Sequence, residues 1–218
     1  MFCLFLSFVE KRWGNTKMMF MDRVNNSEKL VEQILENIRV MGENAEEMRI
    51  WKNLPLAKES LELIKQVGDD EGPLGRAMAC QMVVEKLSEY DAPRFTLSLL
   101  RYEMEQLQIS EEQSEELTVG EVAEHFADLE RFVDIEHVSH EDYMRQSRRH
   151  LDFDEVERTP IWEEINYDVE KEIDGELGDE PRGMGFCFGY WSAKRGALAR
   201  RGIEWLDPHQ MNPGVMFD

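Results

Sequence analysis

The sequence predicts an all-α fold, an irregular bundle of about six or seven helices followed by a compact, partly irregular C-terminal module. Three observations support this prediction. Apolar residues recur at spacings of three and four along most of the chain, which is the pattern of one buried helix face. Proline, serine or threonine stands where these stripes begin, as is common at helix N-termini. No two runs of strict apolar and polar alternation are joined by a turn, so we expect no sizeable sheet.

Four helices are predicted in the first half of the chain. Their expected starts are Ser27, Pro55, Pro73 and Pro93. Serine is a favourable N-cap, and proline suits the first helical turn. The four apolar stripes are Leu30, Val31, Ile34, Leu35, Ile38 and Met41; Leu56, Leu61, Leu63, Ile64 and Val67; Ala77, Cys80, Val84 and Leu87; and Leu97, Leu100, Met104 and Leu107. Met78 and Met82 lie beside the third stripe, and we interpret them as gap-filling core.

Further helices are predicted after residue 117. Thr118 and Glu121 have the spacing of a capping box, and an apolar stripe follows them. We expect Ser139 to cap a short helix and Pro160 to begin another amphipathic one. Near 186–190 the aromatic residues alternate with smaller ones, which leaves a short strand as an alternative to helix.

The chain divides into four predicted segments. They are a poorly ordered or mis-called N-terminal extension at 1–20, an acidic helical bundle at 21–172, an acidic linker at 173–182, and a glycine- and aromatic-rich C-terminal module at 183–218 packed on the bundle. Met18, Met19 and Met21 offer later starts than Met1. The apolar stretch 1–9 is too short to span a bilayer, so we predict no transmembrane segment; a weak amphipathic membrane anchor is the alternative.

Charge is distributed unevenly along the chain. The net charge is -21, and residues 109–182 carry 25 acidic but only seven basic side chains. Such a field repels nucleic acid, so we expect no direct nucleic-acid binding. It is compatible with a basic protein partner, with a hard cation, or simply with a solvated acidic face.

The three cysteines, Cys3, Cys80 and Cys187, are far apart and form no CxxC pair. This usage is typical of a reducing compartment, and we expect a cytoplasmic protein. Aromatic residues flank Cys187, which favours a buried, inert thiol over a nucleophile activated by neighbouring basic residues.

Two groups of residues have the chemistry of metal ligands. Asp134, His137 and His140 recur every three residues near a helix junction, and imidazole with carboxylate suits a divalent transition metal. The alternative interpretation is a polar loop with surface histidines. The second group is Glu121, His125 and Asp128, which share one helix face; a histidine salt-bridged to its neighbours explains this group equally well. No HExxH, P-loop, dinucleotide-binding or GxSxG motif occurs.

The C-terminal module carries the only concentrated positive charge of the second half of the sequence. The residues predicted to form an interaction surface are Lys194, Arg195, Arg200 and Arg201, with Trp191 and Trp205. They could dock on the acidic helices of the same chain or contact an external anion. Linkage within one chain raises the effective concentration and favours internal docking, so we expect both tryptophans to be mostly buried.

The leading functional hypothesis is a non-enzymatic, acidic protein-interaction or regulatory module that addresses a basic partner. The alternative is a metal-dependent enzyme using the site at 134–140; apart from that metal, no cofactor is predicted. We expect the functional surface at the seam between the C-terminal module and the acidic helices.

Overall fold

The computed structural model describes residues 14–68, 71–110, 117–147, 149–178 and 180–217, with side chains from Ser27 onwards. Within these ranges all regular structure is helical, with nine α-helices, short 3-10 helices and no strand. This confirms the all-α prediction, although the number of helices exceeds the six or seven expected. The α-helices are α1 (Gly14–Glu46), α2 (Asn53–Gln66), α3 (Gly72–Val84), α4 (Pro93–Ile109), α5 (Val119–Val133), α6 (His140–Gln146), α7 (Pro160–Leu177), α8 (Phe186–Ala199) and α9 (Pro208–Met211). The 3-10 helices include Ile50–Lys52 and Glu155–Arg158.

Helices α1 to α6 enclose one hydrophobic core. Helix α1 packs on α2, α3 on α4, and α4 on α5. Phe132 is fully buried at an aromatic centre, with ring centroids 4.9 Å from Tyr90, 5.4 Å from Tyr143 and 5.5 Å from Phe153. The predicted apolar stripes supply much of this core, including Ile34, Met41, Leu61, Ile64, Ala77, Cys80, Leu97, Leu100, Val122 and Leu129.

A second, smaller core joins α7 to the C-terminal module. Its buried members are Trp162, Val169 and Ile173 from α7, Ala197 and Leu198 from α8, and Trp205. The rings of Trp162 and Trp205 lie 6.0 Å apart. The C-terminal module therefore packs directly on the last acidic helix.

Two charged side chains connect the cores. Arg158 is fully buried and donates to the carbonyls of Phe132 at 2.8 Å and Val138 at 2.8 Å. Glu163, in the first turn of α7, accepts the backbone N–H groups of Arg94 at 3.0 Å and Phe95 at 2.9 Å. These are free donors of the first turn of α4, so a residue of α7 supplies the cap that α4 lacks locally.

The capping predictions in the second half are confirmed. Thr118 and Glu121 form the capping box at the start of α5. The Ser139 hydroxyl accepts the backbone N–H of Asp142 at 3.1 Å and caps α6.

The prediction for Ser27 is wrong. Ser27 lies inside α1, whose backbone begins at Gly14, and its buried hydroxyl accepts the N–H of Gly68 at 3.1 Å. The serine thus satisfies the backbone beyond the end of α2 instead of its own helix. Most of the predicted N-terminal extension, residues 1–13, lies outside the described residues. No helix in the described part of the chain combines the length and the apolar character needed to cross a bilayer.

The predicted linker at 173–182 is helical in its first half, because α7 continues to Leu177. Ile173 is 3% exposed in the second core, and this apolar contact outweighs the acidic, glycine-containing composition that suggested a linker. The strand considered near 186–190 is the first turn of α8, which follows Gly185 with φ of 82°.

A buried carboxylate lies between α3 and α5. Glu103 in α4 is fully buried, and neither of its carboxylate oxygens has a hydrogen-bond partner among the described residues. Burial raises the pKa of Glu103 to about 7, with His125 opposing and Glu85 adding to the rise. An unpaired buried charge is costly, so the neutral form is the one that this core accommodates.

We expect Glu103 to make the stability of the protein depend on pH. Its pKa in the folded state lies above its ordinary value of 4.5. The folded state therefore binds more protons, and the free energy of unfolding falls as the pH rises between these values. The difference corresponds to a loss of about 3 kcal/mol in neutral to alkaline solution. Glu103→Gln, which is neutral at every pH, should remove that loss, and denaturant unfolding at about pH 5 and about pH 8 measures it.

Glu105→Gln provides the matched control, since Glu105 is an exposed residue of the same helix. It should leave the pH profile of the wild-type protein unchanged. Parallel profiles for the wild-type protein and Glu103→Gln would contradict the assignment.

Candidate functional site

The residues of the predicted metal site fall into two separate pairs. His137 Nδ1 lies 2.8 Å from Asp134 Oδ1 at the end of α5, and the hydrogen bond to Asp134 raises the pKa of the exposed His137. His140 Nε2 instead lies 2.6 Å from Oδ1 of Asp152. Among the described residues, no three His, Cys, Asp or Glu side chains are grouped so that they could hold a metal ion. The predicted metal site therefore gains no support from this geometry.

The second ligand group is also divided. His125 pairs with Glu89, which lies in the loop before α4, and this hydrogen bond raises the pKa of His125. Glu121 belongs to the capping box, while Asp128 accepts from Arg131 at 2.9 Å. The three side chains on this helix face therefore form separate ion pairs and a helix cap.

The basic residues of the C-terminal module are engaged within the chain. Arg200 donates to Glu172 through Nε at 2.9 Å, and Arg201 donates to the same carboxylate at 2.7 Å. Arg195 pairs with Asp207, the N-cap of α9. These contacts correspond to internal docking, the alternative that linkage within one chain favours.

The fourth basic residue, Lys194, forms a buried ion pair between α8 and α7. Its ammonium lies 2.6 Å from Glu170 Oε1 and 3.3 Å from the hydroxyl of Tyr190, which also hydrogen bonds Glu170. The ring centroids of Trp162 and Trp205 lie 4.8 Å and 5.7 Å from the same ammonium. Burial opposes the charge, but the facing acidic groups leave the pKa of Lys194 above its ordinary value.

The two tryptophans have different environments. Trp205 is buried at 7% exposure, and its Nε1 donates to Glu157 at 2.8 Å. Trp191 is only half-buried and contacts Phe188 and Phe217 on the outer side of α8. Trp205, which faces the second core, is buried as expected, whereas Trp191 is not.

A cavity of about 520 Å³ lies at the expected seam. It is bounded by the end of α1, the 3-10 helix Ile50–Lys52, the loop before α4, and the facing parts of α7 and α8. Its wall includes Ile50, Trp51, Asp91, Glu170, Phe186 and Tyr190. We call it the seam cavity. Spacing rules could not reveal it, because Asp91 comes from a loop far from α7 and α8 in sequence.

Cys187 lies in the wall of the seam cavity and is half-buried. The basic residues considered as its activating partners, Lys194 and Arg195, pair with Glu170 and Asp207. Cys80 is fully buried in the first core, and burial raises the pKa of its thiol. Lys194 and Arg195 are thus engaged with carboxylates, and Cys80 is held as a buried thiol.

A second recess, which we call the methionine groove, lies on the surface between α1 and α3. It has a volume of about 220 Å³, and its apolar lining includes Val31, Leu35, Ile38, Val67, Met78 and Met82. Leu35, Met78 and Met82 are 51%, 45% and 40% exposed. The interpretation of both methionines as core is wrong, because Ala77, Cys80 and Val84 take the core-facing positions of α3.

We expect the Lys194–Glu170 pair to show strong coupling. Lys194→Met leaves a buried carboxylate without its cation, which should lower the free energy of unfolding by about 3–5 kcal/mol. Lys194→Met combined with Glu170→Gln should cost clearly less than the two single changes added together. Denaturant unfolding of the four proteins in the cycle measures the coupling.

Arg200→Met tests the same kind of change at an exposed pair immediately after the end of α8, and should cost less than about 1 kcal/mol. Additive effects at Lys194 and Glu170 would show that the two side chains are not coupled.

Trp205 is expected to stabilise the C-terminal module far more than the chain end does. Trp205→Ala should cost about 3–5 kcal/mol, because it removes a large buried side chain from the second core. Met216 is 93% exposed, so Met216→Ala should leave the melting temperature unchanged. Thermal unfolding compares the two, and equal effects would contradict the observed packing.

The chain matches no protein-family model, no curated protein and no solved structure in the comparisons made with each.

Proposed function

We propose that this protein is a non-enzymatic interaction module that binds a basic, amphipathic helix of a partner protein in the methionine groove. The observation that carries the proposal is the groove itself, where exposed leucine and methionine side chains lie beside glutamates. A groove between two helices can receive a third helix laid along it, the common arrangement in which a partner helix buries its apolar face.

The apolar lining supports a partner that buries side chains in the groove. Met78 and Met82 occupy successive turns on the outer face of α3, and Leu35 faces them from α1. Methionine is unbranched and flexible, so its side chain adapts to apolar residues of different shapes. An apolar surface of this kind is stabilised when a partner covers it.

The charges around the groove favour a basic partner. Glu71 lines the groove itself, and Glu85 follows the last turn of α3. Glu28 and Glu32 are exposed and lie seven and three residues before Leu35, on the same side of α1. Lysine or arginine on the polar face of a bound helix would meet these carboxylates.

Arg76 is the basic residue in the described lining of the groove. Its guanidinium donates to Gln106 at 2.8 Å and also contacts the carbonyls of Val67 and Gly68. These contacts turn it toward α4 and the end of α2. The carboxylates around the groove therefore dominate the charge that an approaching helix meets.

The metal-dependent enzyme receives no comparable support, because the residues of its site are held in separate pairs. The net charge of -21 also disfavours a nucleic-acid partner. The interaction function is accordingly the one that we propose.

A fluorescently labelled synthetic helix of leucine and lysine, with the lysines on one face, tests the proposal by anisotropy. We expect saturable binding to the wild-type protein. Met78→Ser with Met82→Ser should weaken it roughly 10- to 100-fold. Burial of a whole methionine contributes about 1.5–3 kcal/mol, and the partner would cover the 45% and 40% of these two side chains that are still exposed. Met184→Ser with Met216→Ser is the matched control, since both methionines are exposed far from the groove, and binding should be unchanged.

The charge contribution is tested with the same peptide. Glu28→Gln with Glu32→Gln should weaken binding and reduce its sensitivity to salt, because fewer carboxylates attract the lysines. Glu141→Gln with Glu176→Gln makes the same change in net charge at exposed sites elsewhere. Equal losses for the two pairs, or equal losses for the two methionine pairs, would mean that the peptide binds the acidic surface without using the groove.

A further inference from the structure

The seam cavity has three carboxylates in its wall, and they differ in how they are neutralised. They are Asp91, Glu170 and Asp174. Glu170 is paired with Lys194. Asp174 accepts from Arg49 at 2.9 Å and from Arg182 at 2.7 Å. Both of these carboxylates therefore have cations of the chain beside them.

Asp91 has no ion-pair partner among the described residues. Hydrogen bonds from Ser88 and Asn166 reach its side chain, while Lys194 acts on it only through its field. Burial raises the pKa of Asp91, because the two hydrogen bonds and the field of Lys194 do not offset the cost of removing the carboxylate from water. A cation placed in the cavity would supply the missing compensation.

A second acceptor lies close to Asp91. Asn166 is 3% exposed, and its Oδ1 has no hydrogen-bond partner among the described residues. Asn166 and Asp91 together line a small recess of about 20 Å³, which shares Ile50, Trp51 and Ser88 with the seam cavity. A buried acceptor of this kind normally has a donor, so a ligand that carries N–H groups fits this end of the cavity.

The remaining wall is suited to an apolar body. Ile50, Trp51, Ile173, Leu177, Phe186 and Tyr190 surround the space. A volume of about 520 Å³ is in the range of small-molecule sites. Lys52, Arg182 and Lys194 already lie 5.6 Å, 5.2 Å and 5.6 Å from the ring centroids of Trp51, Phe186 and Tyr190, so these rings supply apolar contact and the preference for a positive charge comes from Asp91 and Asn166.

We infer that the seam cavity binds a small organic ammonium ion, with the ammonium group at Asp91 and Asn166 and its apolar part against Trp51 and Phe186. This inference is independent of the function proposed for the methionine groove. The ligand class is an amine with an aromatic or aliphatic body.

An anionic ligand does not fit the same space. The Lys194 ammonium is enclosed by Glu170, Tyr190 and two indole rings. Arg182 donates to Asp174 and to the carbonyl of Met48 at 2.6 Å. The cations near the cavity are thus already engaged, whereas Asp91 has no ion pair and Asn166 Oδ1 has no donor among the described residues.

Calorimetric titration of the full-length protein with three phenyl compounds of similar size tests the charge requirement. 2-Phenylethylamine should bind, and 2-phenylethanol and phenylacetate should bind at least tenfold more weakly, because neither brings a positive charge to Asp91. Equal affinity for the amine and the alcohol would overturn the inference, as would tighter binding of phenylacetate.

Asp91→Asn locates the site. It should weaken amine binding about tenfold or more, as expected when a charge-assisted hydrogen bond is lost. Asp168→Asn, an exposed change on α7, should leave the affinity unchanged. An unchanged affinity in a folded Asp91→Asn protein would exclude the seam cavity.

Protection of Cys187 gives a second readout on the wild-type protein, which does not depend on whether Asp91→Asn folds. Cys187 lies in the cavity wall, while Cys80 is fully buried. Saturating 2-phenylethylamine should slow alkylation of Cys187 by iodoacetamide several-fold, and 2-phenylethanol at the same concentration should not. Mass spectrometry of the separate cysteine peptides measures each rate. An unchanged rate at Cys187 with the amine bound would show that the amine binds elsewhere.

Discussion

The buried ammonium of Lys194 is the charge on which the C-terminal third of the fold depends. Removing a lysine from water is costly unless the ammonium is paired and hydrogen bonded. Glu170 supplies the pair from α7, Tyr190 supplies a hydroxyl one turn earlier on α8, and the rings of Trp162 and Trp205 cover the remaining sides. Because these partners come from three places in the chain, α8 can satisfy Lys194 in only one rotation about its own axis. That rotation also places Tyr190 and Cys187 in the wall of the seam cavity.

Some of the excess carboxylates form ion pairs within the chain, and others are exposed without such a pair among the described residues. Glu170 and Glu172 on α7 are paired with lysine and arginine of α8. The more exposed pairs of Glu172 contribute little stability. The buried Lys194–Glu170 pair and the apolar contacts of the second core therefore hold the C-terminal module. Glu28 and Glu32 on α1 and Glu71 beside the methionine groove are exposed and form no ion pair with another described residue.

Local sequence signals predicted the helices well and their mutual contacts poorly. The capping box at Thr118 and the cap at Ser139 depend on residues three positions apart, and both were recognised. Ser27 has the same local chemistry, but its hydroxyl serves Gly68 across the fold, which no local rule distinguishes. The apolar stripe predicted for α3 is right for Ala77 and Cys80, which are buried. Met78 and Met82 face outwards instead, and apolar character alone does not distinguish the covered side of a short helix from its exposed side. Asp91, Glu170 and Lys194 lie near one another although they come from distant segments of the chain, so only the folded structure shows their proximity.

Charged side chains bridge the walls of the seam cavity. Arg49 from the loop after α1 and Arg182 from the segment before α8 both donate to Asp174 of α7, and Arg49 also donates to the carbonyl of Gly178 at 3.0 Å. Although burial opposes it, the surrounding cations leave the pKa of Asp174 below its ordinary value, so the carboxylate remains ionised and its bonds persist across the neutral range. Apolar walls alone would gain by collapsing on each other. Directional bonds to one carboxylate link the segments that flank α1 and α8 to α7 instead, and the space between them is lined by aromatic rings and by Asp91.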